Sequence, residues 1–186
     1  MYKKALKKVG LVLLVGLFFI YILTSSWFLQ KLYPFPHREL VLQNCASYEV
    51  DHFLVLAIIK AESRFLSTAQ SPVGARGLMQ IMPETGSWIA EKMKIKDYTA
   101  EKLYSPSYNI PMGIWYLAYL NRNFAGNTVK VLAAYNAGEY KVRRWMTEGN
   151  WTGELEDIQQ IPYKETREYV DRVLFNYQIY KKIYQN

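Results

Sequence analysis

Apolar positions recur along most of this chain at the three- and four-residue spacing of helices, and no alternating strand pattern of useful length interrupts them. The segment "YEVDHFLVLAIIKAESRF", Tyr48 to Phe65, has Lys60 as its only polar side chain between Phe53 and Ala61, which predicts a helix buried on most of its surface. "LSTAQSPVGARG" breaks that pattern with Ser, Pro and two glycines, and a second helix is expected from Pro83 in "PETGSWIAEKM". A further helix fits "NIPMGIWYLAYLNRNF", where Ile110, Ile114, Leu117 and Ala118 share a face. "TVKVLAAYN" reads as another, which "AGEY" separates from "KVRRWM"; the last is "ETREYVDRVLFNYQIYKKIY", with Tyr169, Val173 and Tyr177 at helical spacing. With no repeat and no low-complexity tract, the pattern predicts one compact all-α domain.

One stretch is apolar all round. After "KKALKK", the run "VGLVLLVGLFFIYILTSSWFLQ" carries 22 residues, Val9 to Gln30, without a charge, long enough as a helix to cross a bilayer's hydrocarbon core. A cleaved signal peptide is the competing reading, but the apolar region is long for that role and "TSSWFLQ" offers no clear small-x-small cleavage site. An uncleaved single-pass anchor is therefore expected. It gives a basic cytoplasmic N-terminus at 1–8, a transmembrane segment at 9–30, a linker at 31–44 and a folded domain at 45–186 on the outer face of the cell membrane. Within the linker, "YPFPHREL" reads as a proline-stiffened spacer.

Composition then narrows the function. The formal charge is +7, but Lys3, Lys4, Lys7 and Lys8 precede residue 30 with no acid among them, leaving 19 basic against 16 acidic residues in the rest. Such a body is only mildly basic and shows no Lys/Arg stripe, so nucleic acid is not an expected partner. The single cysteine, Cys45, can form no internal disulfide and reads as a small buried hydrophobe. Two histidines, His37 and His52, with one cysteine give no metal-ligand spacing; no metal and no cofactor is expected.

Glu62 is the anomaly. Val55, Ile58 and Ile59 precede it by seven, four and three residues, and Phe65 and Leu66 follow at three and four, so a helix surrounds it with oil. Scarce water disfavours the charged form of a carboxyl and raises its pKa, which suits a general acid working near neutral pH. The plainer alternative is a helix-end Glu paired with Lys60, Arg64 or Arg76, or turned to solvent.

"SPVGARGLMQIMP" (71–83), "AAYNAG" (133–138) and "IPYKETREYV" (161–170) follow Glu62 in an order and spacing that resembles the soluble lytic transglycosylases of the goose-type lysozyme superfamily, glycoside hydrolase family 23. The resemblance spans about residues 45 to 180. It implies an all-α, lysozyme-like catalytic domain that cuts the β-1,4 link from N-acetylmuramic acid to N-acetylglucosamine, with peptidoglycan glycan strands as partner. By the same resemblance Glu62 takes the place of the sole catalytic acid. Ser63 sits beside it, Ser71 matches a hydroxyl near the muramic sugar, and Gln80, Met82, Tyr135 and Asn136 match cleft positions. Tyr169 matches a tyrosine that orients the catalytic carboxyl. Read without the resemblance, Gln80 can cap a helix, Met82 can fill the core, Tyr135 and Asn136 can close a helix, and Tyr169 can be one ring of a packed stripe.

One advertised carboxylate also fits that chemistry. Ordinary glycosidases use two, a nucleophile or water activator besides the acid. A lytic transglycosylase needs one group, which protonates the leaving oxygen and then takes a proton from the sugar's own 6-hydroxyl. Hydrolysis of the same bond by water, or an inactive glycan-binding scaffold, are the other readings. Two departures from the family pattern stand out: Ser105-Pro106 ahead of the "NI" helix, and "EYKV" after "AYNAG", which suggests a different loop beyond Gly138.

Overall fold

A computed structural model describes residues 2–185, with side chains described outside 3–7, 9, 12, 23, 24 and 26. Helix α1 (Tyr2–Thr24) and the short α2 (Ser26–Leu32) lead into α3 (Arg38–Tyr48) and α4 (His52–Ser63). After a long loop come α5 (Pro83–Lys92), a 3-10 turn (Ala100–Tyr104), α6 (Pro106–Asn123), α7 (Thr128–Ala137) and α8 (Glu139–Thr147). A second 3-10 turn (Leu155–Gln160) precedes α9 (Lys164–Tyr184). Among the described residues no strand forms, only isolated bridges Gln70 to Arg76 and Arg76 to Ile81.

The centre of the body is α4, whose Phe53, Val55, Leu56, Ala57, Ile58 and Ile59 are all buried. A helix hydrophobic all round belongs inside a core, and here it lies along α9, with α3 beside it. Tyr177 of α9 meets Asp51 at the start of α4, and Tyr169 meets Glu62 at its end, so the two helices run antiparallel. Helix α7 packs on α9 and α6, and α3 and α5 pack on α6.

Three expectations are corrected in detail. The helix expected over Tyr48–Phe65 is two: α3 stops at Glu49 in a left-handed conformation (φ 56), and Asp51 caps α4 by accepting from the Phe53 N–H at 2.8 Å. The segment 31–44 is no free spacer, since α3 begins at Arg38, Val41 is fully buried, and Tyr33 and Phe35 pack against the core. The apolar run 9–30 is not one helix either: Ser25 takes an extended conformation (ψ 140) and its hydroxyl caps α2. That run falls partly on Val9, Val12, Leu23, Thr24 and Ser26, whose side chains lie outside the described residues. Among those described, no helix is long and apolar enough to cross a membrane.

Candidate active site

The loop from Arg64 to Met82 forms the floor beside Glu62, and three helices hold it. From α4, the Ser63 hydroxyl donates to Leu78 O at 2.8 Å. From α6, Asn109 is fully buried; its Oδ1 accepts from the Met79 N–H at 2.7 Å while its Nδ2 donates to Arg76 O and Leu103 O. From α7, the Tyr135 hydroxyl donates to Met79 O at 2.9 Å. Gly77 makes the close approach possible: at φ +76, a Cβ there would sit 2.0 Å from Leu103 O. Backbone groups that no ladder satisfies thus find side-chain partners, which fixes the loop without a sheet.

Glu62 ends α4 against this floor and is mostly shielded from solvent. Desolvation pushes its pKa up to about 7; the Tyr169 hydroxyl and Arg172 pull it down, and Glu165 pushes it further up. None of the cations near it in sequence neutralises it. Arg76 pairs with Glu101 at 3.1 Å, Lys60 Nζ donates to Leu32 O at 2.6 Å, and Arg64 is exposed at the left-handed C-cap of α4 (φ 51). The carboxyl is therefore held near the point where it can both give and take a proton at neutral pH.

Tyr169 is 2 % exposed, and its hydroxyl is buried without a hydrogen bond of ordinary geometry, although it lies close enough to Glu62 to act on its charge. Tyr135 also feels that charge, so the carboxyl lies close to two phenols, one on α7 and one on α9. Helices α7 and α9 are themselves tied at this point: Thr166 Oγ1 donates to Asn136 Oδ1 at 2.8 Å.

Tyr135, which feels the Glu62 charge, also lines a pocket of ≈ 220 Å³, with Gln80, Met82 and Asn136 in its wall together with Thr85 and Tyr116. Gln80 reaches it through strained backbone (φ 46), held by its Nε2 donating to Ala69 O and Gly77 O. It caps no helix; Met82 stands at the N-cap of α5 and lines the pocket rather than the core. Five of the expected site residues thus come together around the carboxyl or its pocket: Gln80, Met82, Tyr135, Asn136 and Tyr169. Two do not. Ser63 turns inward onto Ile59 O and Leu78 O, so it braces the loop instead of facing a substrate. Ser71 closes its own turn by accepting from the Ala75 N–H at 3.0 Å and is not part of the pocket wall.

Some participants were not legible beforehand. Tyr116 and Thr85 are shared with a second, more open bay of ≈ 380 Å³ whose wall adds Trp88 and Tyr119, so the groove continues past the first pocket. Glu165 and Arg172 act on Glu62 from α9, and their places four before and three after Tyr169 were the available signal. Beyond Gly138 (φ 92) the chain turns at once into α8, with no longer loop.

The family model of the transglycosylase SLT domain matches residues 39–158. The chain belongs to the transglycosylase SLT domain family. Over 150 residues this SLT domain is 36% identical to the soluble lytic murein transglycosylases of Salmonella typhimurium and Escherichia coli K12, covering 78% of this chain and 23% of each relative. Among solved structures it resembles an inactive Glu-to-Gln mutant of the lytic transglycosylase Slt from Pseudomonas aeruginosa, with 35% identity and a TM-score of 0.75 over 84% of this chain and 26% of that one. It resembles the 70-kDa soluble lytic transglycosylase of Escherichia coli at 32% identity and a TM-score of 0.76, over 83% of this chain and 25% of that one. A complex of a 70-kDa soluble lytic transglycosylase with bulgecin A matches at a TM-score of 0.78 and 32% identity, over 86% and 26% of the two chains. The fold is the all-helical lysozyme-like fold of these SLT enzymes. The chain spans about a quarter of the length of these relatives.

Proposed function

We propose that this SLT domain is a lytic murein transglycosylase that cleaves the β-1,4 bond between N-acetylmuramic acid and N-acetylglucosamine. The carrying observation is Glu62, a carboxyl without a paired cation among the described residues, raised to about 7 by burial and close to Tyr135, which lines the pocket. In its acid form Glu62 protonates the leaving glycosidic oxygen as the bond to the muramic C1 breaks. The muramic N-acetyl oxygen assists at C1. Glu62, now a carboxylate, removes the proton of the sugar's 6-hydroxyl, whose oxygen closes on C1 and releases the N-acetyl group. The product is a 1,6-anhydromuramic end, with no water consumed.

Tyr169 fits the role of orienting the carboxyl: its hydroxyl has no other partner to serve among the described residues, and a donor beside a partly desolvated group acts strongly. Gln80 and Asn136 offer amides to the substrate's N-acetyl and hydroxyl groups from the pocket wall. The inactive Glu-to-Gln mutant among the structural relatives supports an essential glutamate in this reading. Digestion of purified murein by the purified chain, with Glu62→Gln as control, tests this. Mass spectrometry should find anhydromuramic ends that the variant does not make; ends that are all reducing would mean hydrolysis, and a fully lytic Glu62→Gln would end the proposal.

We also propose, from the uncharged run at 9–30, that the chain is a single-pass membrane protein, with Lys3, Lys4, Lys7 and Lys8 in the cytoplasm and the body on the outer face. The part of the apolar run inside α1 is Val9–Thr24, about 24 Å at 1.5 Å per residue against a hydrocarbon core of ~30 Å. Local thinning of the bilayer absorbs a shortfall of that size at modest cost. Retention of the full chain in membranes after alkaline carbonate extraction supports this; release into the supernatant removes it.

A further inference from the structure

Helix α2 has a different character from α1. Its exposed face, at the three- and four-residue spacing of Trp27, Gln30 and Lys31, pairs an indole 64% exposed with an ammonium 3.9 Å from the ring centroid. An aromatic beside a lysine is the composition of a headgroup layer, where one end of each side chain is apolar and the other wet. Behind α2 the chain is not loose. Lys60 Nζ donates to Leu32 O at 2.6 Å and lies 4.2 Å over the Tyr33 ring. Tyr184 donates to Tyr33 O at 2.8 Å and Tyr180 to Pro34 O at 3.0 Å, while the Tyr33 and Tyr180 rings meet edge to face. The next ring, Phe35, stacks on His52 at 6.0 Å, so both α4 and α9 grip the segment 32–35.

We propose that α2 lies in the headgroup layer of the bilayer, and that this aromatic seam fixes the catalytic body at one height above it. A lipid surface is the occupant that these side chains favour. Helix α2 follows the exposed apolar side chains of α1, Leu17 to Tyr21, after the single extended residue Ser25, and its one charged side chain, Lys31, is positive. A consequence is short reach: the groove works on glycan strands next to the membrane and cannot swing out to remote ones. This inference rests on the membrane-anchored reading, and on that part of it only.

The test uses the full chain in vesicles of phosphatidylcholine and phosphatidylglycerol, with the emission lost in Trp27→Phe taken as the signal of Trp27. A nitroxide at the lipid headgroup should quench that signal about twofold more than one at mid-chain, and vesicles should shield it from aqueous acrylamide. If the chain stays with the vesicles under carbonate but acrylamide reaches Trp27 as freely as in detergent, the headgroup placement is wrong and the anchor stands, whether Trp27 faces water or a protein partner. If carbonate releases the chain, both readings fall. For the seam, a donor dye on the exposed position of Thr68→Cys, with Cys45 buried, reports energy transfer to acceptor lipids. The distribution should be narrow, and should broaden in the double variant Tyr180→Phe with Tyr184→Phe and after insertion of about ten Gly/Ser residues between Leu32 and Tyr33. A wild-type distribution already as broad as that of the insertion overturns the fixed height.

Discussion

At the start of α4, the tyrosines of α9 are all provided for: Tyr177 donates to Asp51 Oδ2 at 2.6 Å, Tyr180 to Pro34 O and Tyr184 to Tyr33 O. At the other end of the same helix pair, Tyr169 is more deeply buried than any of these but Tyr180. Among the described residues its hydroxyl has no partner of ordinary geometry, and Glu62 beside it has no paired cation. A buried polar group left unpaired costs about 1–3 kcal/mol, and a desolvated carboxyl resists ionising. One end of the α4–α9 pair is arranged for stability, and the other keeps unmet polar groups around Glu62.

The harshest way to probe that contrast is Glu62→Gln. Loss of the proton donor and acceptor should lower the rate of anhydromuramic product release by about 10²- to 10⁴-fold. Because the amide never ionises, the melting temperature at neutral pH should hold or rise. A variant that loses activity by unfolding would break the contrast, and circular dichroism melts separate the two outcomes.

Asn109→Ala should come next in size, and in the opposite direction. It strips the Met79 N–H, Arg76 O and Leu103 O of their partner in a fully buried place, a loss of about 3 kcal/mol or more of stability measured by urea unfolding. Activity should fall with it, since Gln80 and Met82 ride on the same loop. A stable Asn109→Ala protein would mean that the floor of the groove is held by something other than this hub.

Much of this was legible from local pattern. The apolar surroundings of Glu62 are three- and four-residue neighbours on one helix, which periodicity reports directly, and the all-helical fold follows from the same spacing. Ser63 and Ser71 lie outside the pocket wall, and adjacency in sequence says nothing about the side a short hydroxyl faces. Each found a backbone group to bond instead, as Ser commonly does at helix ends and turns. The linker was misread for a related reason. Its prolines are visible in the sequence, but the partners that bind it, Tyr180 and Tyr184, are 146 and 151 residues away. Tyr116 and Thr85 reach the pocket only through the packing of α5 on α6, which no local signal encodes.

Acidity gives a milder probe of the groove end. The folded chain holds the Glu62 proton up to about pH 7, whereas an unfolded chain releases it near 4.5. That raised affinity favours the fold fully below pH 4.5, and the advantage is lost as pH rises through about 7, by at most about 3 kcal/mol. Urea midpoints at pH 4.5 and 8 should therefore differ more in the wild type than in Glu62→Gln, and the lytic rate should decline above pH 7 as the acid form disappears. Equal pH dependence in both proteins would mean that the carboxyl is better solvated than its burial implies.

The smallest effects are the most discriminating, because they set one phenol against another. Tyr180→Phe removes the bond to Pro34 O and should cost about 1 kcal/mol of stability while leaving cleavage of isolated murein unchanged. Tyr169→Phe removes a hydroxyl that makes no bond of ordinary geometry in the resting protein, so stability should be unchanged or slightly higher. Its cost should appear in kcat instead, about tenfold, since a donor that steadies the carboxylate serves the second half of the reaction. That hydroxyl also lowers the pKa of Glu62, so the alkaline limb of the rate profile should move to higher pH in Tyr169→Phe and stay in place in Tyr180→Phe. If instead Tyr169→Phe destabilises the fold as Tyr180→Phe does and leaves the profile unmoved, Tyr169 is a packing residue, and the two ends of α4 differ less than their hydrogen bonds suggest.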